Sequence, residues 1–215
     1  MPRFDEIFFD VLDNIDDAGL RDVNPDKVFR QLERIQVDIA QRGLAIQGTA
    51  TITTVANQDG YNLPTGTFHI KQIFEPPDWT KDIAIVHDVE VWREKIRDTS
   101  LDTTQPLFCT VWNGQFILHP EPTVVVDIPL WTYNLPITAP AEGGTPEVDE
   151  QWDSALEFGA TWRLLEKARQ KKPDTPQGNW LQLYEAEIDK YLNQELKAAI
   201  KGSLRHRHSS EDLGF

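Results

Sequence analysis

Three histidines, His69, His87 and His119, are the first residues in this chain whose chemistry could amount to a site. Three imidazoles with a fourth position open would suit a zinc ion that polarises a water. They stand 18 and 32 residues apart, however, whereas metal ligands usually come in closely spaced pairs. The bland reading is three histidines satisfied by ordinary hydrogen bonds, and no metal or other cofactor is expected. His206 and His208 form an H-x-H pair near the end of the chain, without further ligands beside them. The 35 acidic residues guarantee that some carboxylates lie close together, so proximity alone does not point to a glycosidase pair. Cys109 is the only cysteine, which excludes an internal disulfide and a cysteine-rich zinc site. It sits in the strand-like run Leu107-Phe108-Cys109-Thr110-Val111 and reads as a small buried hydrophobe. Glycine-rich phosphate loops, HExxH and GxSxG are all absent from the sequence. No catalytic residue is assigned.

Composition narrows the class further. At 215 residues, with 40% hydrophobic residues and seven Trp, the chain can bury a core without metals or disulfides. A formal net charge of −14 opposes general nucleic-acid binding, which needs clustered Lys and Arg to neutralise phosphate. No apolar run approaches the roughly 20 residues of a membrane span, so no membrane association is expected. The start, Met1-Pro2-Arg3-Phe4-Asp5-Glu6, lacks the form of a signal peptide. A protein of a cytoplasmic interior, or of something assembled there, is the expectation.

The elements that would position these residues follow from periodicity. Phe4, Ile7, Phe8, Val11, Leu12 and Ile15 recur at helical spacing, with Gly19 as a stop. Asn24-Pro25 gives a second start, with Asn as N-cap and Pro at the first helical position, and Val28, Leu32, Ile35 and Ile39 carry the stripe to Gly43. The period then becomes two: Ile46 to Val55, Phe68 to Phe74 and Val124 to Trp131 read as strands, with Pro129 placing the last at an edge or strand end. Asn113-Gly114 is a hairpin turn between apolar arms. Residues 83–97 are ambiguous between strand and helix. Helical spacing returns over 151–170 and from Asn179 to Gly202, separated by the loop 173–178. Lys197, Lys201, Arg205 and Arg207 then form an acid-free basic stretch over 197–208.

The fold class expected is α+β, an antiparallel four-helix core with a β-rich, sandwich- or barrel-like insert and an extended C-terminal tail. The corresponding boundaries are a helical hairpin at 1–45, the insert at 46–138, a Pro/Gly/Ala linker at 139–149, a second helical pair at 150–202 and a flexible basic tail at 203–215.

The order of several short signals within this frame carries more information than any one of them. Tyr61-Asn62-Leu63-Pro64 follows a Thr-rich strand, and the hairpin Phe108 to Leu118 ends in His119-Pro120-Glu121-Pro122. Tyr133-Asn134-Leu135-Pro136 is an extended segment, and Ala155-Leu156-Glu157-Phe158-Gly159-Ala160 opens the third long helix. Over roughly residues 1–195 this order resembles the head–tail adaptor proteins of tailed phages, including the tail tubular protein A group of short-tailed phages. Trp152 departs from that pattern, in which Tyr or His is common, and the tail beyond Gly202 has no counterpart in it.

The resemblance implies a virion protein, assembled in the host cytoplasm, that forms a homo-oligomeric ring, usually a dodecamer. Such a ring docks beneath the portal, continues the DNA channel and meets a tail nozzle or tail-tube protein on its far side. DNA would pass through the lumen without specific binding, consistent with the net negative charge. The basic tail is then expected to order on the portal, through Lys201, Arg205, Arg207, Leu213 and Phe215, its competing reading being a frayed, solubilising terminus. Two other functions stay open from the residues: a carbohydrate- or receptor-binding module of a phage tail, which requires exposed coplanar aromatics in the insert, and a tail hydrolase using acids or the three histidines.

Overall fold

A computed structural model describes residues 3–17, 23–74, 76, 82–97, 105–171 and 178–193. The expected stop at Gly19, the loop over 173–177, the helix end at Gly202 and the basic tail lie outside these residues. The chain divides into two compact units, one built from Met1–Ala45 and Pro136–Phe215, the other from Ile46–Leu135.

In the first unit, α1 (Arg3–Asp17) buries Phe4, Ile7, Val11 and Ile15, the spacing of an amphipathic helix. Helix α2 (Pro25–Gly43) starts as its sequence dictates: the Asn24 side chain accepts from the Asp26 N–H at 2.8 Å, and Pro25 occupies the first turn. Its end differs in cause from the expectation. Leu44, not the glycine, takes the left-handed conformation, with φ of 50°. Gly43 is small for a different reason. A methyl group at that position would lie 2.5 Å from Cη2 of Trp152, whose indole fills the space. A 3-10 turn over Glu150–Trp152 leads into α4 (Asp153–Lys171), and residues 180–193 are helical and form the described part of α5.

The four-helix core expected from two antiparallel hairpins is not found. Helices α1 and α2 each pack along α4 and only marginally on one another, chiefly where Phe8 stacks on Phe29 with ring centroids 4.9 Å apart. The arrangement is a hub, with α4 at its centre. The reason is the breadth of the buried band on α4, where Ala155, Leu156, Ala160, Thr161, Leu164 and Leu165 are all buried around the helix rather than along one stripe. At the α2 crossing the Ile35 side chain packs directly onto Gly159, where a methyl group would sit 2.8 Å from Ile35 Cδ1 and 2.9 Å from Cγ2. Ile35 is β-branched and fully buried, so it has little freedom to yield.

The second unit has two sheets. One orders β1 (Gln47–Thr53), β7 (Asp127–Asn134) and β3 (Thr67–Ile73) as β1-β7-β3, antiparallel throughout. The other is β2 (Gly60–Asn62), β6 (Gln115–His119), β5 (Phe108–Trp112) and β4 (Ala84–Ile85) in the order β2-β6-β5-β4, with β4 parallel to β5. The β5–β6 hairpin turns through Asn113 and Gly114, both at positive φ, as the Asn-Gly pair requires. Ile52, Ile70, Ile128 and Leu130 from the first sheet and Tyr61, Cys109, Phe116 and Leu118 from the second share one core.

Pro129 lies on the central strand, not on an edge. Its carbonyl accepts from the Phe74 N–H at 2.9 Å, just past the end of β3 at Ile73, so the N–H that proline lacks falls where the ladder has stopped. The ambiguous stretch resolves into both elements, β4 and then α3 (Val89–Arg97), whose first turn Asp88 caps by accepting from Glu90 and Val91.

Gly159→Ala sets a helix-propensity gain of about 1 kcal/mol against an overpacking cost of about 1–3 kcal/mol. We expect a net loss of stability in urea titration, and a smaller loss from the same Gly159→Ala change when it is made in an Ile35→Ala background. Cys109 is fully buried and its thiol is pushed up to about 12 by that burial. A thiol-specific reagent at pH 8 should leave it unmodified in the native protein and label it fully in denaturant.

Candidate interaction surfaces

Among the described residues, no three His, Cys, Asp or Glu side chains come together in a group able to hold a metal ion. His69 and His87 do meet, their rings stacked at 5.3 Å, but His119 lies edge-on to Trp92 instead. Burial, and secondarily the neighbouring His87, lower the pKa of His69 and favour its neutral form. On the three-stranded sheet the Lys71 ammonium sits 4.1 Å from the Trp131 ring centroid and 5.5 Å from that of Tyr133, and it donates to the Gln47 amide oxygen at 3.1 Å. This occupies the face a sugar would stack on. Trp112, at the hairpin, is the one Trp among the described residues that is more than half exposed. Among the described residues, the coplanar exposed aromatics that a sugar-binding reading requires are not presented.

The adaptor-like motifs have structural reasons. The Tyr61 hydroxyl donates to the Gln58 carbonyl at 2.6 Å and accepts from the Val55 N–H at 3.1 Å, pinning the turn before β2. Asn134 accepts from the Thr67 and Thr132 hydroxyls at 3.0 and 3.1 Å. Ala155, Leu156, Gly159 and Ala160 are the small and buried residues of the hub. Trp152, where the motif departs from the adaptor pattern, fits because Gly43 leaves room for its ring and Tyr191 packs against it at 4.5 Å.

Helix α5 is tied to α2 by polar contacts. The buried Tyr184 hydroxyl donates to the Asp38 carboxylate, and Arg42 grips Glu185 with both terminal nitrogens. The arginine holds Glu185 below the usual carboxylate range, while burial first and Asp38 second push the Tyr184 phenol up.

Two charged surfaces of opposite sign mark the helical unit. The outer face of α1 carries Glu6, Asp10 and Asp13 around Phe9, which is 49% exposed. Burial raises the pKa of Glu157 beneath this face and nearby Asp10 adds to the effect, while a hydrogen bond from Asn14 at 2.8 Å opposes it. Across α2 and α4, Arg30, Arg34, Arg163 and Lys167 converge. Partial desolvation and then the fields of Arg34, Arg163 and Arg30 lower the pKa of Lys167. Beside them opens a groove of about 450 Å³, lined by Glu33, Arg34, Val37, Asp38, Gln41 and Arg163. Sequence reading missed this cluster because its halves are far apart in the chain. The available signal was the spacing of Arg30 with Arg34 and of Arg163 with Lys167, like charges one turn apart that a helix tolerates poorly unless something compensates them.

The proposed tail residues Lys201, Arg205, Arg207, Leu213 and Phe215 lie outside the described residues. Helix α3 was not anticipated as a surface: none of its residues is buried, although Val89, Trp92 and Ile96 share a face.

Glu157→Gln keeps the oxygen that Asn14 contacts and removes the buried charge. Because the folded pKa of Glu157 lies above its unfolded value, its favourable contribution is complete below about pH 4.3 and is lost as pH rises through the folded pKa. The variant should therefore equal the parent in acid and exceed it in stability at pH 7, as read by denaturant midpoints at the two pH values.

No curated protein matches the chain significantly. The profile of the SU10 adaptor protein family matches residues 3–207, nearly the whole sequence. With the head–tail adaptor motifs in their expected order inside that span, the chain belongs to the SU10 adaptor protein family of phage head–tail adaptors.

Proposed function

We propose that this chain is a ring subunit seated between the portal and the tail of a phage particle, copies of it forming a dodecamer around the channel through which DNA passes. The observation that carries this reading is α3. A helix with Val89, Trp92 and Ile96 on one face leaves Val91 and Ile96 at 41% and 48% exposure and has no fully buried residue. Apolar surface of that kind is ordinarily covered by a neighbouring subunit. Trp112 and Ile137, at 57% and 72% exposure, extend the same argument to the hairpin and to the segment after β7. The net charge of −14 supports a lumen that does not retain DNA, since a like-charged wall gains nothing from counterion release. On this reading the portal lies on one side of the ring and a tail nozzle or tail-tube protein on the other, and the basic tail docks on the portal through Lys201, Arg205, Arg207, Leu213 and Phe215.

Light scattering of purified portal rings with and without the chain tests the ring. A complex of one fixed stoichiometry is expected, and absence of any retained chain contradicts the reading. Deleting residues 203–215 should weaken portal binding by at least about tenfold, the equivalent of about 1.4 kcal/mol. Unchanged affinity would remove the tail from the interface while leaving the ring intact.

A further inference from the structure

We infer that the free chain pairs edge to edge with a second copy, β1 of one lying antiparallel to β1 of the other about a twofold axis at Ala50. This goes beyond the ring reading and stands apart from it, because a twofold contact closes at two copies and does not repeat around a ring.

The three-stranded sheet ends in two edges, β1 and β3, and only β3 is guarded. Edge strands are ordinarily protected by charge, proline or bulges, because their free N–H and C=O groups invite another strand. β3 carries Lys71 and two breaks in register. β1 pairs with β7 residue for residue over Gln47–Thr53, and it holds neither a charged residue nor a proline. The phase of its hydrogen bonds is fixed at both ends. The Asn134 N–H donates to the Ile46 carbonyl at 2.9 Å, and the Thr54 N–H to the Val126 carbonyl at 2.8 Å. Even-numbered residues therefore face β7, while the N–H and C=O groups of Gln47, Thr49, Thr51 and Thr53 point away from it. Among the described residues these outward groups have no backbone partner. The side chains of the same four residues are exposed. At Val55, the next residue in that phase, the Tyr61 hydroxyl accepts from the N–H at 3.1 Å and closes the edge.

The occupant that fits is β1 itself. Among the described strands the other edges are β2 with three residues, β4 with two, and the bulged β3. Only β1 offers an unbroken edge of matching length. Antiparallel pairing centred on Ala50 sets Gln47 opposite Thr53 of the second copy and Thr49 opposite its Thr51. All four outward residues then fall in hydrogen-bonded pairs, and threonines facing one another across strands are a favourable pair. The ends match in charge as well. Lys71 donates to the Gln47 side chain at 3.1 Å, and the Thr53 hydroxyl donates to Asp127 at 2.6 Å. Each end of the pair brings the Lys71–Gln47 couple of one copy beside the Thr53–Asp127 couple of the other.

The test uses the full chain without portal. Light scattering over a dilution series should show a dimer that dissociates to monomer. Thr51→Pro removes an outward N–H and leaves the β7 ladder intact, since Thr51 does not donate to β7. It takes one hydrogen bond from each half of the symmetric pair, so the dimer should weaken at least about tenfold, with the circular dichroism spectrum unchanged. Thr49→Lys/Thr51→Lys keeps every backbone group and sets like charges directly opposite one another. It should be monomeric, as should Thr49→Glu/Thr51→Glu, and an equimolar mixture of the two should return to dimer. Ala50→Cys lies across the axis from its own copy and should form a disulfide-linked dimer on mild oxidation. Gln47→Cys, far from its own copy in this register, should not. Cys109 is buried and does not compete.

A parent that is monomeric throughout the dilution series overturns the proposal, and so does a dimer that persists in both Thr51→Pro and the lysine variant. Cross-linking through Gln47→Cys in place of Ala50→Cys overturns it by its register. A monomeric parent whose binding to portal or tail protein is lost in Thr51→Pro overturns it in favour of a partner's strand on the same edge. A free dimer with the expected variants that fails to bind portal rings supports this pairing and overturns the ring reading alone.

Discussion

Space at two glycines governs the helical unit. Ile35 lies where a side chain on Gly159 would have to go, and the Trp152 indole lies where one on Gly43 would. The side-chain volume missing at those two points is filled by two large, buried residues, Ile35 of α2 and Trp152 of the turn that leads into α4. Because close-packed interiors resist added volume, this crossing fixes the register of α2 on α4. That register sets Arg30 and Arg34 beside Arg163 and Lys167, and it brings Asp38 and Arg42 to Tyr184 and Glu185. The hub therefore builds the charged surfaces as a consequence of packing.

The distribution of charge then has a consistent physical reading. Acidic residues dominate the chain, yet Arg30, Arg34, Arg163 and Lys167 gather across α2 and α4, beside a groove lined by Glu33 and Asp38 as well as by Arg34 and Arg163. Exposed ion pairs within a single subunit contribute little to stability. Across an interface, complementary potentials instead select the partner and its orientation.

Local chemistry in the sequence was legible where one residue type has one structural use. Asn24-Pro25 reads as a helix start because its side chain and missing N–H suit that position alone, and Asn113-Gly114 reads as a hairpin because few pairs accept two positive φ values. Pro129 misled, since the rule that prolines avoid central strands assumes a ladder continuing on both sides, and β3 stops beside it. The four-helix core misled for a related reason. Helical periodicity gives the number and faces of helices, but the hub depends on how broadly Ala155, Gly159, Ala160 and Thr161 let neighbours approach α4, which a stripe pattern does not encode. Residues 83–97 were ambiguous because a two-residue strand and a nine-residue helix in succession satisfy neither period alone. The cluster of Arg30, Arg34, Arg163 and Lys167 was invisible for want of sequence proximity between its halves, and the adaptor motifs became informative only through their order along the chain.

The central claim is that this chain is an assembly subunit of the phage neck, and its most direct test is where the protein sits in the particle. Cryo-electron microscopy of the virion neck should show a closed ring of density between portal and tail into which both units of the chain fit. Density for the chain in tail fibres, or anywhere other than a ring at the portal, would contradict the account.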